Sequence, residues 1–273
     1  MEGGELTNFR PVDEVREWVV EKHEVLKYYV TICSGVRRKF SQFAESTYID
    51  LYSGSGLCIT KKSRDPIPGS PVVAALAARA AGTPFDRIYV ADQNPLKVQA
   101  CDERLREQKF PVEHLVGKSM LTAPEIIARL KPSGFHFAFL DPFSLDLPFD
   151  VLRAFQGLKH VDLLVHVSEM DVQRNLDLEL ADEGKSRLDT FAPGWRDHID
   201  LHQPKRLMVR QYLDYWVWLV DSIGWRRPPE VRAIKNTRNR LIYHLALLSQ
   251  NEKLAGKFWS HAVKADRNQS ELF

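Results

Sequence analysis

The sequence predicts an α/β fold with a mostly parallel sheet, helices on both faces and a terminal antiparallel hairpin. Short apolar segments alternate with amphipathic helical segments through most of the 273 residues. Glycine, proline and small polar residues separate these segments, as expected for the turns between them. Toward the end of the chain, two further strand-like segments are joined by residues 236–240 alone, a connection short enough for a hairpin.

The region before this alternation is predicted to be helical. Residues 12–44 carry apolar side chains at a spacing of three to four, and Ser34-Gly35 is a candidate break. The chain length and the 44% hydrophobic content suit one large α/β domain with a helical annex. We therefore expect an N-terminal helical segment over 1–46 and an α/β domain over 47–273.

Five short apolar segments are the predicted parallel strands, and each of them except the last is followed by a predicted helix. The strands are 47–52, 87–91, 112–116, 136–140 and 161–167. The helices are 70–81, 95–108, 123–131 and 149–158. The first helix begins at Ser70-Pro71, where proline suits the first turn, and stops at Gly82. Residues 57–69 form an unusually long connection before it.

The pattern changes after Ser168. Residues 169–206 are polar, contain proline and glycine breakers, and predict a partly helical insertion after strand five. The remaining predicted elements are a helix over 207–225, strands over 230–235 and 241–248, and a helix over 251–264. Alternating units that end in an antiparallel hairpin are typical of the class I methyltransferase variant of the Rossmann-like, doubly wound fold, although architecture alone does not define function.

A glycine-containing turn follows the first strand of the alternation. Residues 48–58 read YIDLYSGSGLC, so a hydrophobic strand ends in Ser53-Gly54-Ser55-Gly56. Glycine lets the backbone adopt positive φ and come close to a ligand. Ligands of open α/β sheets bind beyond the carboxyl ends of the strands, where the strand order reverses. The pattern is neither GxGxxG nor a P-loop, which argues against a phosphate cradle and leaves a structural turn and a binding loop both open.

The loops after the next two strands supply further candidate cofactor ligands. Asp92 ends the second strand, and a carboxylate there can accept hydrogen bonds from ribose hydroxyls. The alternative is an Asx turn that caps the next helix, but Asn94 before Pro95 can provide that cap. Ser119 follows the third strand and is a candidate neighbour of an adenine. The candidate cofactor-binding residues are Asp50, Ser53, Gly54, Gly56, Asp92, Gln93 and Ser119.

The fourth strand ends in Asp141-Pro142-Phe143, which are the candidate catalytic residues. Amino-methyltransferases that act on bases have an acidic or amide residue, two prolines and an aromatic residue at this place. The carboxylate and a proline carbonyl accept the hydrogens of an exocyclic amine, and the aromatic ring stacks on an unpaired or flipped base. Here the second proline is absent and the aromatic residue comes one place early. A plain strand end, with Phe143 in the core, is therefore the alternative.

Several other polar residues have more than one interpretation. Lys22 and His23, on the N-terminal helix, are more typical of a solvated helix face than of the alternative, a functional pair. His166 and Glu169, at the end of the fifth strand, are candidate bases, whereas the alternative for His166 is a core residue satisfied by one hydrogen bond. Arg174, early in the insertion, either gates an acceptor pocket or forms a surface salt bridge.

Charge and cysteine content limit the ligands and the cellular location that can be expected for this chain. The net charge of +2 is too small to imply nucleic-acid binding, but basic loops at 61–64 and 232–240 would bind phosphates if they flank the site. Cys33, Cys58 and Cys101 are widely spaced without a CxxC pair, which argues against a disulfide framework or a metal site. The sequence also has no secretory signal and no membrane-spanning run, so together with the cysteine spacing it predicts a cytoplasmic protein. The absence of HExxH and GxSxG motifs argues against a zinc hydrolase and a serine hydrolase.

Several blocks of the sequence, in their order and spacing, together resemble the three-Cys-motif partner protein (TcmP) family. They are EKHEVLKYYV (21–30), YIDLYSGSG (48–56), GSP (69–71), VADQN (90–94), LDPF (140–143), DVQRNL (171–176) and a late run that begins RLIYHLALLSQ (240–250). The resemblance extends over residues 15–265, approximately. After LDPF, we expect glycine in the family where this chain has Ser144.

The resemblance implies a class I fold of the S-adenosylmethionine (SAM)-dependent methyltransferases, with SAM as cofactor and the N-terminal helix over its pocket. Asp50 would organise the glycine turn or bind the amino group of SAM. The family name also implies a partner protein that carries a cysteine motif. The leading function is thus a SAM-dependent methyltransferase that acts on a nucleic-acid base amine. The alternative is a non-catalytic binding or regulatory module that keeps the fold and serves the cysteine-motif partner.

Overall fold

The computed structural model of the chain describes residues 10–180, 186–227, 232–235, 241–251 and 256. Helices and strands alternate through most of this length, as predicted. In chain order the elements are β1 (Asp13–Val15), α1 (Val19–Ile32), α2 (Ser34–Ser41), β2 (Ser46–Asp50), β3 (Leu57–Thr60), β4 (Pro66–Pro68), α3 (Ser70–Ala80), β5 (Arg87–Asp92), α4 (Pro95–Glu107), β6 (Val112–Val116), α5 (Ser119–Arg129), β7 (Phe135–Leu140), α6 (Phe149–Gln156), β8 (Val161–Val167), α7 (Glu169–Leu180), α8 (Arg187–Phe191), α9 (Lys205–Ser222), β9 (Arg232–Lys235) and β10 (Leu241–Ser249). A short 3₁₀ helix spans Trp195–Asp197.

Seven strands form the main sheet in the order β6-β5-β2-β7-β8-β10-β9. The strands β2, β5, β6, β7 and β8 pair in parallel, and β10 runs antiparallel to both β8 and β9. This is the predicted Rossmann-like sheet with its terminal hairpin. The chain runs outward from β2 to β6 and then returns to the other side of β2 at β7, so the strand order reverses beside β2. The hairpin connection 236–240 lies outside the described residues, as does the predicted helix 251–264 except for Asn251 and Gly256.

Both faces of the main sheet are covered, which explains why its central strands are apolar. All residues of β2 and β7 are buried. Successive side chains of a strand point to opposite faces, and Tyr48 and Ile49 of β2 accordingly belong to two different hydrophobic clusters. One cluster includes residues of α5, α6 and α9, and the other includes residues of α1, α3 and α4. This two-sided burial fixes the carboxyl ends of β2, β5 and β7 relative to one another.

A second, three-stranded sheet is the main departure from the sequence prediction. β1 pairs in parallel with β3, and β3 pairs antiparallel with β4. The prediction of a helix throughout 12–44 and of a plain connection over 57–69 is therefore wrong at these strands. Each has only three or four residues, too few for a periodic pattern, and β1 pairs with a strand more than forty residues away in the sequence. The division of the chain into 1–46 and 47–273 stays a prediction.

The other elements follow the prediction closely. The break between α1 and α2 falls at Cys33, one residue before the predicted pair. α5 begins at Ser119 rather than Ala123, which brings its first turn to the carboxyl end of β6. The insertion 169–206 is partly helical, as predicted, because it contains α7, α8 and the 3₁₀ helix. None of the helices in the described part of the chain combines the length and the apolar character that a membrane span requires.

Candidate functional site

A cleft of about 1130 Å³ lies at the carboxyl ends of the parallel strands. Eight of the ten predicted site residues line it, whereas Asp50 and Gly56 do not. Those eight are Ser53, Gly54, Asp92, Gln93, Ser119, Asp141, Pro142 and Phe143. They come from the four loops that follow β2, β5, β6 and β7. Parallel strands end at the same edge of the sheet, and the sequence prediction relied on this fact to place these residues together.

Asp50, the last residue of β2, is fully buried behind the glycine turn. Its Oδ2 accepts hydrogen bonds from Ser70 Oγ at 2.8 Å and from the Tyr48 hydroxyl at 3.1 Å. Its Oδ1 accepts one from the Tyr52 N–H at 3.1 Å. Burial raises the pKa of Asp50 to about 7, although these hydrogen bonds act in the opposite direction. Asp50 therefore connects β2 to α3 through Ser70, and it holds the start of the glycine turn through the Tyr52 N–H without lining the cleft.

The turn after β2 requires glycine at both predicted positions. Gly54 has φ +56°, and a Cβ there would lie 2.5 Å from Asp13 Oδ2. Gly56 has φ +75°, and a Cβ there would lie 3.1 Å from Cys101 Sγ. A left-handed backbone costs a residue with a side chain about 1–2 kcal/mol, so conformation and space both favour glycine. Gly54 faces the cleft, whereas Gly56 borders a separate cavity of about 320 Å³.

Asp92 ends β5 beside this turn. Its Oδ2 accepts a hydrogen bond from the Gly54 N–H at 3.1 Å. Its Oδ1 accepts one from the Asn94 N–H at 2.8 Å, so the Asx turn considered as the alternative is present as well. The predicted cap of α4 is confirmed, because Asn94 Oδ1 accepts from the N–H groups of Leu96 at 3.0 Å and Lys97 at 3.3 Å. A carboxylate has about four lone-pair sites, so Asp92 keeps acceptor capacity for a ligand in the cleft.

Gln93 and Ser119 lie at the β5 and β6 end of the cleft. Gln93 is exposed at the rim. Ser119 is buried at the start of α5, where its Oγ forms a hydrogen bond with the Tyr52 hydroxyl at 2.9 Å. That hydroxyl also donates to the Asp146 carbonyl at 2.7 Å, which fixes Ser119 in the cleft wall. The neighbouring Met120 is half-exposed and adds an apolar surface to the cleft.

Asp141, directly after β7, forms an ion pair inside the cleft. Its Oδ2 lies against the ammonium of Lys22 from α1, and its Oδ1 lies 3.7 Å from Nδ1 of His166 in β8. The side chains of Lys22 and Asp141 are only 12% and 17% exposed. Burial alone would raise the pKa of Asp141, but the charge of Lys22 and then that of His166 outweigh burial, so this pKa lies below its ordinary value. Asp141 is therefore an ionised carboxylate near neutral pH.

The residues after Asp141 form a turn at the mouth of the cleft. Pro142 is buried, and its carbonyl interacts with the His166 ring. Phe143 is 91% exposed, so the alternative in which this ring packs in the core is wrong. Ser144 has φ +62°, a conformation that glycine adopts most readily. The backbone at this position thus has the form that would explain a glycine in the family the chain resembles.

Two buried polar groups that line the cleft have no hydrogen-bond partner among the described residues. They are Nδ1 of His166 and the hydroxyl of Tyr243 from β10, whose rings pack edge to face with centroids 4.2 Å apart. Burial lowers the pKa of His166 to about 4 and raises the pKa of Tyr243, so both are neutral near pH 7. An unsatisfied buried donor or acceptor costs about 1–3 kcal/mol. These groups therefore favour a polar ligand in the cleft.

Lys22 and His23 do not lie on a solvated helix face, contrary to the prediction. They follow Val19 by three and four residues and precede Leu26 on the same stripe of α1, which packs against the main sheet and α3. Lys22 reaches Asp141, and burial lowers the pKa of His23 to about 4. The spacing relative to Val19 and Leu26 is the sequence signal that could have identified both as cleft residues.

Asp13 is a further cleft residue, and no sequence pattern indicated it. Its Oδ2 accepts a hydrogen bond from the Ser55 N–H at 2.6 Å, and its Oδ1 pairs with Lys97 Nζ at 2.6 Å. The parallel pairing of β1 with β3 places Asp13 beside Cys58 and hence next to the glycine turn. Asp13 therefore anchors the N-terminal strand on that turn.

Of the two remaining candidate residues, Glu169 and Arg174, only Arg174 lines the cleft. Glu169 does not line the cleft, and its Oε2 lies 3.2 Å from His244 Nε2. Arg174 is exposed and lines the cleft. These positions favour Arg174 over Glu169 as a residue that meets a ligand.

The two basic loops are only partly described. In 61–64, Lys61 lines the cleft, and both Lys61 and Arg64 pair with Glu14, at 3.5 and 2.6 Å. Of the loop 232–240, only β9 (Arg232–Lys235) belongs to the described residues. A phosphate-binding role for either loop stays a prediction.

Comparison with models of known protein families and with curated proteins finds no match for this chain. Among solved structures, the chain is similar to protein LPL1258 from Legionella pneumophila, with 12% identity and a TM-score of 0.49, over 88% of this chain and 92% of that chain. It is also similar to P. horikoshii TYW2 in complex with MeSAdo, with 8% identity and a TM-score of 0.41, over 79% and 62% of the two chains. A third similar structure is cofactor-bound Rv0187 from MTB, with 10% identity and a TM-score of 0.44, over 82% and 79%. The strand order of the main sheet defines the fold class without these distant likenesses.

Proposed function

We propose that the protein is a SAM-dependent methyltransferase. The observation that carries this proposal is the contact between Gly54 N–H and Asp92 Oδ2, at 3.1 Å, in a cleft that also presents Asp141-Pro142-Phe143. A turn of small residues with glycine at Gly54, next to a carboxylate at the strand-order reversal, suits the ribose of a bound nucleoside. The cleft of about 1130 Å³ has room for a cofactor together with part of an acceptor.

The residues of the cleft fit SAM as the cofactor. Asp92 would accept hydrogen bonds from the ribose hydroxyls, and Met120 beside Ser119 would border the adenine. Asp50 and Gly56 support the turn without lining the cleft. The residues that would contact the cofactor are Ser53, Gly54, Asp92, Gln93 and Ser119.

The chain's task in this reaction is mainly alignment. SAM, when bound, would supply a methyl group activated by a positively charged sulfur; the acceptor nitrogen would take the methyl, the carbon–sulfur electron pair would stay on sulfur, and the proton released by the amine would pass to water. Asp141 and the Pro142 carbonyl would accept the hydrogens of the acceptor amine and so orient its lone pair. The exposed ring of Phe143 would stack on the acceptor and shield one of its faces from water.

We infer that the acceptor is an amine of a nucleic-acid base. Support comes from the exposed aromatic ring of Phe143 beside the carboxylate of Asp141, which suits an unpaired or flipped base. The basic loops 61–64 and 232–240 would bind phosphates of the same strand. The resemblance to the TcmP family adds a cysteine-motif partner protein to the proposal. The widely spaced cysteines without a CxxC pair support a cytoplasmic location as a further part of it.

A methyl-transfer assay tests this function. The purified chain is incubated with SAM that carries a labelled methyl group and, separately, with RNA, DNA, a peptide library or small-molecule amines. We expect label in a base of RNA or DNA. Asp141→Asn should lower the rate about tenfold to a hundredfold, because one oxygen that accepts the amine hydrogens is replaced by a donor. Asp150→Asn, an exposed carboxylate on α6, is the control.

The outcomes separate the parts of the proposal. Label in peptides or small amines, but in no nucleic acid, would overturn the base amine and leave methyl transfer standing. Failure of the folded protein to bind SAM at all would overturn the methyltransferase itself.

A non-catalytic module that serves a cysteine-motif partner is the second candidate. The observation that favours it is the ion pair with Lys22, which occupies the Asp141 carboxylate that an acceptor amine would need. The absence of a second proline after Pro142 favours it too. SAM binding without transfer to any acceptor class, together with a tight complex with a cysteine-motif protein that Asp141→Asn leaves intact, would support this candidate.

A further inference from the structure

Lys22 and Asp141 are two opposite charges that meet inside the cleft and are both largely buried. Removing charges from water is costly, and an ion pair offsets that cost only in favourable geometry. This pair is not in the hydrophobic core but at the wall of a ligand cleft, beside the unpartnered groups of His166 and Tyr243. Its position therefore indicates a role in binding.

Lys22 supplies a localised positive charge at this end of the cleft. Its ammonium lies against Asp141 Oδ2 and 6.0 Å from the centroid of the Tyr243 ring. His23 and His166 are nearby, but burial lowers the pKa of each to about 4, so both are neutral near pH 7. Of the groups that lower the pKa of Asp141, Lys22 has the largest effect.

The strand order relates Lys22 to the cofactor. Asp92, the proposed ribose ligand, ends β5, and Asp141 follows β7, on the other side of β2. A cofactor held by its ribose at Asp92 has its amino-acid end available to groups across the glycine turn. That end carries a carboxylate, for which a lysine ammonium is a suitable partner. Lys97, which pairs with Asp13, lies on the Asp92 side of the glycine turn rather than across it.

We propose, on the basis of the methyltransferase function above, that Lys22 binds the carboxylate at the amino-acid end of the cofactor and, in doing so, gives up its ion pair with Asp141. Without cofactor, Lys22 neutralises Asp141. With cofactor, the ammonium pairs with the cofactor carboxylate, and both oxygens of Asp141 become available to the acceptor amine. The flexible stem and compact charge of lysine suit such an exchange. The cofactor then binds before the acceptor, because its carboxylate is what releases Asp141.

Binding of two cofactor forms tests this role. Calorimetric titrations compare SAM with decarboxylated SAM, which lacks only the carboxylate, on the wild-type chain and on Lys22→Met. We expect the wild type to bind SAM about tenfold to a hundredfold more tightly than the decarboxylated form, the effect of one charge-assisted hydrogen bond. Lys22→Met should bind both forms equally. The matched control is Lys27→Met, on the same helix but exposed and paired with Glu24, which should keep the preference.

A second variant controls for misfolding. Lys22→Met alone leaves Asp141 as an unpaired buried charge, so Lys22→Met/Asp141→Asn, which keeps the site neutral, is titrated in parallel after thermal melting has verified folding. It should also lose the preference. A folded variant that keeps the full preference, or a wild type that binds both forms equally, would overturn the role of Lys22 and leave the SAM-dependent function standing. A folded wild type that binds neither form would overturn the proposed function as well.

Discussion

The buried carboxyl of Asp50 should give the protein a defined pH dependence of stability. Burial raises its pKa to about 7 from 3.8, so between these values the folded chain holds a proton that the unfolded chain has lost. This group's contribution to the free energy of unfolding should therefore fall as the pH rises from about 4 to about 7, by an amount on the order of a few kcal/mol, and then level off.

Asp50→Asn, which is neutral throughout, should remove that slope. Urea unfolding of both proteins at several pH values between about 4 and 8 measures the effect. A difference between wild type and variant that does not change with pH would contradict the assigned pKa.

Gly54 should be the most sensitive position of the glycine turn. Gly54→Ala places a Cβ 2.5 Å from Asp13 Oδ2 and requires an L-residue at φ +56°, so we expect a loss of at least about 1–2 kcal/mol of unfolding free energy. Gly35→Ala is the matched control, because that helical glycine has no atom within 4 Å of the added Cβ; it should be neutral or stabilising by up to about 1 kcal/mol. Equal melting temperatures for the two variants would contradict this account of the turn.

The sequence was sufficient to predict which strand-end residues meet, but not what surrounds each one. Asp92 and Asp141 were predictable as cleft residues because their strands are clear in the hydrophobic pattern and parallel strands share an edge. The fold alone brings Ser70 to Asp50 and Lys22 to Asp141, because the members of each pair are far apart in the sequence. No local pattern of residue types carries that information.

At the scale of elements, β1 fixes the glycine turn through Asp13. Asp13→Ala would leave the Ser55 N–H without its acceptor and Lys97 without its partner, so we expect a loss of about 1–3 kcal/mol of unfolding free energy. Hydrogen exchange at the Ser55 amide should also become faster. Glu14→Ala is the control, since the pairs of Glu14 with Lys61 and Arg64 are exposed and should be worth about 1 kcal/mol or less. Equal effects of the two variants would show that Asp13 does not anchor the turn.

The elements that the sequence predicts well are those that hydrophobic burial alone determines. The central parallel strands β2 and β7 are buried throughout because helices cover both faces of the sheet, and the helices between the strands show the matching periodicity. The strands β1, β3 and β4 are instead held by their pairing with one another: β1 and β4 are largely acidic or proline, and β3 has only four residues. A short strand of this kind has no signature until the fold has brought its partner beside it.

At the scale of the whole molecule, the sheet topology brings the strand ends together at one cleft, and α1 and β10 add further residues to its wall. The reversal of strand order beside β2 places the ends of β5, β2 and β7 in one row along a single cleft. α1 adds Lys22 from one side, and β10 adds Tyr243 next to His166. The fold and the location of the cleft were therefore predictable. The surroundings of Asp141 and His166 were not, because Lys22 and Tyr243 come from α1 and β10, which no motif connects to β7.

Calorimetric titration of SAM into the wild-type chain, Asp92→Asn and Asp171→Asn tests the central claim most directly. Asp171 lies on α7 and lines the same cleft, so it is the matched carboxylate control. We predict one SAM site in the wild type, binding at least about tenfold weaker in Asp92→Asn through the lost ribose contact, and unchanged binding in Asp171→Asn. Absence of binding to folded wild-type protein, or equal affinity in all three proteins, would contradict the assignment of this cleft as a SAM site.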